Sequence, residues 1–137
     1  MTHYVGILDG AKNVWGVRIP DLPGCFGGGS SPEAAISDII SAMREWAGAI
    51  AQKGQPIPPP RPLADIIADT ETDYEPQLGE SIVMLPLLHE TGRSVKANIS
   101  IDVGMLAAID AAANVRGMTR SAFLVAAARA MIERAAT

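Results

Sequence analysis

The sequence predicts an α+β protein in two parts: an N-terminal α/β domain over residues 1–91 and a smaller unit of one strand and two helices over residues 92–137. Three observations carry that reading. Short β-prone runs fill residues 4–29 and are followed by a long stripe of apolar side chains at helical spacing. A continuous apolar run, SIVMLPLL, follows at Ser81 to Leu88. Beyond Ser94 the chain alternates polar and apolar, then switches at Asp102 to a helical period.

Taken in order, Tyr4 to Leu8 and Val14 to Ile19 are expected strands joined by DGAKN, whose Asp-Gly marks a tight turn, so the chain opens with a hairpin. Pro20, Pro23 and Gly24 stop the second strand. Cys25 and Phe26 begin a third, after which Gly27, Gly28 and Gly29 turn the chain toward a helix. That helix opens at Ser30 or Ser31, with Pro32 in its first turn and Glu33 near the positive end of its dipole. Ala35, Ile36, Ile39, Met43, Trp46 and Ile50 keep one face apolar until Gly54 ends it, and Trp46 is expected to be the largest contribution to the core. Gln55 to Pro62 is proline-rich and reads as an extended connector. Leu63 to Ala68 is a short helix. Asp69 to Gln77, with four acidic residues, is a solvated loop or an acidic contact for a basic partner. Ser81 to Leu88 is a further strand, with Pro86 confining its later part to an edge or a bulge.

In the second part, Val95, Ala97, Ile99 and Ile101 fall on one face of an extended segment, and Lys96, Asn98 and Ser100 on the other. Asp102 can cap a helix in which Leu106, Ile109 and Ala113 recur. Gly117 closes it, and Thr119 caps a second helix with Phe123, Leu124, Ala127, Ala128 and Met131 on one side. So small a unit buries too little apolar surface to offset chain entropy alone. It is therefore expected to dimerise by pairing its strand with a second copy, which presents Lys96, Asn98 and Ser100 twice. A two-stranded ribbon fits the DNA major groove, and the amides and charge of Thr119, Arg120 and Ser121 suit a phosphate. From Val95 to Met131 the pattern resembles the ribbon-helix-helix repressors, with Asp102 standing where relatives often have Pro.

Charge divides along the same line. Residues 94–137 hold five Lys and Arg (Lys96, Arg116, Arg120, Arg129, Arg134) against three acids (Asp102, Asp110, Glu133), whereas residues 1–93 hold six bases against twelve acids. With an overall net charge of -4, only the C-terminal part has the sign expected of a nucleic-acid binder. The single cysteine, Cys25, excludes an internal disulfide framework and agrees with a cytoplasmic compartment. No run approaches the ~20 apolar residues that span a bilayer, and MTHYVGILDG lacks the pattern of a signal peptide, so no membrane role is expected.

The order of features is similar to HicB, the antitoxin of HicAB toxin–antitoxin pairs. The residues that carry the resemblance are Tyr4 with the opening strand, VRIPDLPGCFGGG at Val17 to Gly29, the SSPEAA helix start, Gly54 with the prolines after it, and the ribbon-helix-helix tail. PDLPGC, from Pro20 to Cys25, is the most specific part, and Ser30 stands where many relatives have an acidic residue. The resemblance implies a partial RNase H-like N-terminal fold that covers a HicA-like toxin, a small basic ribonuclease. It also implies a tail that homodimerises, binds operator DNA and represses the shared operon. Assemblies of this kind can reach tetramers. The resemblance assigns no toxin-contacting residues here.

Catalysis is not expected. A nuclease on such a fold needs carboxylates converging on metal ions. Of the candidates Asp9, Asp21, Glu33 and Asp38, the first lies in an expected turn, the second in a proline-bounded loop, and the last two on different faces of a helix. Cys25 has no histidine near it in sequence, and neither His3 nor His89 belongs to a metal-binding spacing. GGGSS lacks the lysine of a phosphate-binding loop. No cofactor or metal is therefore expected. A stand-alone ribbon-helix-helix transcriptional regulator with a ligand-sensing N-terminal domain is the alternative, and an active RNase H relative a third.

Overall fold

A two-residue turn at Lys12 and Asn13, with Lys12 at φ 59°, folds the start of the chain back on itself. It joins β1 (Thr2–Ala11) to β2 (Val14–Arg18), with Ala11 opposite Val14. The turn therefore lies later than the Asp-Gly signal suggests, and Asp9 and Gly10 belong to the strand. Gly10 is needed for another reason: it has a φ of 149°, and a Cβ there would strike the backbone and ring of Trp15 across the hairpin.

The computed structural model describes residues 1–134, and the chain divides into two units, Met1–Thr91 and a second beginning at Gly92. In the first, β3 (Phe26–Gly29) and β4 (Ser81–Leu87) complete a four-stranded antiparallel sheet of order β3-β2-β1-β4. Pro86 pairs with His3 on β4, an edge strand as its chemistry requires.

Helix α1 (Pro32–Gln52) crosses one face of the sheet. Ser31 caps it by accepting from the Ala34 amide at 3.1 Å, and Gly54 at φ 71° closes it. Tyr4, Leu8, Val17, Ile39, Met43 and Leu85 form the heart of the core between helix and sheet. Trp46 is only half-buried at the margin of that core, so it is not its main contributor. Gly27 and Gly29 are strand residues rather than a turn. A Cβ on Gly27 would lie 2.6 Å from the Ile39 amide nitrogen, and one on Gly29 2.7 Å from the Ala34 methyl. These glycines let the helix approach the strand backbone directly.

The proline-rich connector is fixed by the Tyr4 hydroxyl, which donates to the Pro58 carbonyl at 2.6 Å, and by Ile57 packing on the core. Helix α2 (Leu63–Ala68) follows and buries Ile66 completely. Two 3₁₀ turns, Thr70–Thr72 and Pro76–Leu78, lead into β4.

The second unit holds α3 (Val103–Val115) and α4 (Arg120–Arg134). Asp102 caps α3 by accepting from the Gly104 and Met105 amides at 2.9 and 3.2 Å. At its end Met118 donates to Ala113 and Gly117 to Asn114, with Gly117 at φ 65°, a glycine-closed terminus. Thr119 caps α4 through the Ala122 amide. The expected strand over Val95 to Ile101 is not formed within this chain: residues 93–102 join no ladder, because among the described residues this unit contains no second strand to pair with.

Candidate functional site

Two surfaces concentrate the candidate residues. The first lies on the sheet face opposite α1. Because side chains alternate, Val17 points to the core and Arg18 to this other face. The Arg18 guanidinium donates to Glu80 Oε2 at 2.8 Å, and to the Thr72 and Asp73 carbonyls at 3.2 and 3.0 Å. Glu80 also accepts from the Glu75 amide at 2.7 Å. The hydrogen bonds from Arg18 first, then the Glu75 amide and the attraction of the guanidinium, hold the Glu80 carboxyl below its usual range against the opposing effect of burial, and Arg18 is raised in turn.

A second ionic cluster ties the connector to the loops. Arg61 donates through Nε to Asp21 at 2.6 Å and through Nη1 to Asp69 at 2.9 Å, and its amide donates to Asp21 at 2.7 Å. Asp69 is held below the usual carboxylate range by Arg61 first and by the Glu71 amide next. The acidic stretch is therefore not simply solvated: Asp69 and the carbonyls of Thr72 and Asp73 brace the loop against the sheet.

Of the carboxylates considered for metal chemistry, Glu33 lies in the first turn of α1. Asp21 is taken by Arg61, Asp38 accepts from the Gly28 amide at 2.9 Å, and Asp9 stands on β1 rather than in a turn. Among the described residues, no three His, Cys, Asp or Glu side chains are grouped so as to hold a metal ion. Cys25 is buried, and burial pushes its thiol pKa up, away from the reactive thiolate.

The second surface is the segment before α3 with the start of α4. Lys96, Asn98 and Ser100 are exposed, and so are Val95 (91%) and Ile99 (67%) on the opposite, apolar side. A hollow of about 400 Å³ brings Asn98 together with Arg120 and Ser121, its apolar wall made by Ile99, Ile101 and Leu106. Lys96, Ser100 and Thr119 do not line it. The Thr119 hydroxyl is spent on its own helix cap. Arg120 forks onto Asp110, Nε to Oδ1 and Nη2 to Oδ2, both at 2.8 Å, so its charge is compensated within the chain rather than standing free at the helix start. Nothing in the sequence spacing pointed to that pair, since ten residues and a helix break separate its members.

A family model described as the HicB-like antitoxin of bacterial toxin–antitoxin systems matches residues 4–128. The fold is similar to the crystal structure of the antitoxin HicB of Burkholderia pseudomallei, with a TM-score of 0.51, 22% identity, and 98% of each chain covered. It is similar to the antitoxin HicB3 crystal structure, with a TM-score of 0.51, 24% identity, and 96% of this chain and 98% of that one covered. A chain of a HicA3 and HicB3 toxin–antitoxin complex matches with a TM-score of 0.50 at 20% identity, covering 63% of this chain and 98% of that one. No curated protein matches the sequence. Among the described residues no helix is long and apolar enough to cross a membrane.

Proposed function

The chain belongs to the HicB-like antitoxin family of bacterial toxin–antitoxin systems, and from that membership we propose a bifunctional, non-catalytic binding protein. The N-terminal unit, a partial RNase H-like fold, binds a small HicA-like ribonuclease toxin and occludes it. The C-terminal unit pairs with a second copy as a ribbon-helix-helix dimer and represses its own operon. The observation that carries the reading is the extent of the family match, which reaches across both units to residue 128. A solved structure with the same fold is described as a HicA3 and HicB3 complex, which supports a toxin as the partner here.

On the DNA side, Lys96, Asn98 and Ser100 read base edges, and the first turn of α4, with Thr119, Arg120 and Ser121, lies against a phosphate. The uncovered apolar side of the segment, with Val95 and Ile99 exposed, supports pairing with another copy. Inhibition by occlusion calls for a broad contact, on the order of 1,600 Å² in total.

Co-expression tests the toxin half. The full chain is expected to co-purify with the small basic protein encoded beside its gene and to silence RNA cleavage by it. Failure of both sinks that half. For the DNA half, Lys96→Ala with Asn98→Ala should lower affinity for the operator fragment; an unchanged shift in gel retardation refutes the assignment of the reader.

A further inference from the structure

The N-terminal sheet offers a partner two faces and two edges, and these are not equally open. Helix α1 covers one face. On the β3 edge the outward Gly28 amide is already taken by Asp38 of α1, and on the β4 edge Pro86 has no amide proton to give. Each edge thus lacks one donor that an added strand would use, and the face that carries Arg18 is covered over β1, where Val5 and Ile7 are buried, so its open part lies over β2 and β3.

On that face Phe26, opposite Arg18 in the ladder, is 67% exposed. It stands between two hollows. One, of about 230 Å³, is lined by Asp9, Gly16, Arg18 and Gly27. The other, of about 350 Å³, is lined by Arg18, Pro20, Arg61 and Glu71 among others. Gly16 leaves bare backbone beside the exposed Asp9, whose Oδ1 would be 3.7 Å from a Cβ placed there. Arg18 is committed to Glu80 and to two carbonyls and also attracts Asp9 through space, so one guanidinium is shared between two carboxylates and the hollow keeps a net negative charge. The surrounding residues 1–93 carry six bases against twelve acids, which favours a cationic partner.

We propose that Phe26 and Asp9 form the centre at which the basic partner protein docks: Phe26 inserts into the partner, and a lysine or arginine of the partner enters the hollow over Gly16. The cation lies against the Asp9 carboxylate and its stem along the Phe26 ring. A protruding aromatic beside a charge-complementary hollow is the arrangement in which few residues dominate binding. The inference rests on the toxin-binding reading of this unit.

The test uses the full chain and, as probe, the basic protein encoded beside its gene, with affinity measured by titration calorimetry. Phe26→Ala and, separately, the isosteric Asp9→Asn should each weaken binding by about 30-fold and about 10-fold respectively. Melting temperatures should stay near that of the parent, since both side chains are exposed. Glu45→Lys, on the exposed side of α1, serves as the control for generic charge and should change affinity by less than about threefold. Parent binding with both site variants within about twofold overturns the docking centre alone. Equal weakening by Glu45→Lys and Asp9→Asn also overturns it, in favour of diffuse steering. No binding by the parent removes the toxin reading and this inference together.

Discussion

Replacing Glu80 by Gln removes a charge from a side chain that is 11% exposed while keeping its shape. The carboxylate accepts from Arg18 Nη1 at 2.8 Å, from Nη2 at 3.4 Å and from the Glu75 amide at 2.7 Å. A Gln has one acceptor oxygen, so either the loop amide or the guanidinium loses its partner and meets an NH₂ group instead. A hydrogen bond to a charged group contributes roughly 1.5–3 kcal/mol. Arg18 is 31% exposed and regains part of this from water, so the lower end applies, about 1.5 kcal/mol. For a unit of this size that lowers Tm by roughly 6–12 °C. Urea unfolding followed by tryptophan fluorescence reads this unit alone, because Trp15 and Trp46 both lie in it. The pH dependence supplies an internal check. Arg18 lowers the Glu80 pKa from its ordinary 4.5, so the stability it brings is complete above 4.5 and is lost as pH falls through the lowered folded value. Parent and variant should therefore differ fully at neutral pH and converge in acid, once pH has fallen through the lowered folded value of the parent's Glu80. A gap that is absent at pH 7, or that persists undiminished in acid, refutes the account. The Asp69 carboxylate, lowered by Arg61, is common to both proteins and cancels in the difference.

Gly27→Ala should destabilise the first unit by about 1–3 kcal/mol, because its Cβ would meet the α1 backbone at Ile39, whereas Gly48→Ala, with nothing within 4 Å, should be neutral or stabilising by up to about 1 kcal/mol in the same urea assay. Asp102→Ala removes the cap of α3 and should reduce helical circular dichroism of the C-terminal unit, at a cost of about 1 kcal/mol. Asp110→Asn should free the Arg120 guanidinium; if α4 meets a phosphate, operator affinity rises and its dependence on salt steepens, by filter binding across a salt series. The melting temperature of residues 92–137 should rise with protein concentration by calorimetry, and a concentration-independent value would count against pairing with a second copy.

Where a residue's chemistry acts on its own neighbours, the sequence was legible. Ser31, Asp102 and Thr119 cap the helices that follow them, Gly54 and Gly117 close the helices before them, and Pro86 lies on an edge strand. Tertiary demands were not. Gly27 and Gly29 look like a turn in sequence because nothing local reveals that α1 will press on that strand. Asp9-Gly10 likewise carries a turn signal that the closeness of Trp15 explains instead. The pairs that brace the candidate surfaces, Arg18 with Glu80 and Arg61 with Asp21, join residues 62 and 40 positions apart, and no periodicity reports such distances. The exposed Phe26 was visible only as the start of a strand, since its prominence depends on the glycines around it.

The two units differ in how far each closes its own apolar surface. In the first, a sheet face and a helix share a core whose central side chains are wholly buried, and the sheet edges are blunted by Asp38 and Pro86. In the second, Ile109 and Ala113 are the buried apolar residues among those described, while Val95, Val103, Val115 and Met131 are at least three-quarters exposed. Two buried side chains, one of them only a methyl, cannot offset the conformational entropy lost by some forty ordered residues. The proposed pairing with a second copy would supply the missing apolar contact, and the segment from Val95 to Ile101 has what such pairing needs: a row of backbone groups without a ladder and an apolar side without a cover. Pairing there would leave Lys96, Asn98 and Ser100 outward in duplicate, so the contact that completes the unit would also assemble the reading surface proposed for it.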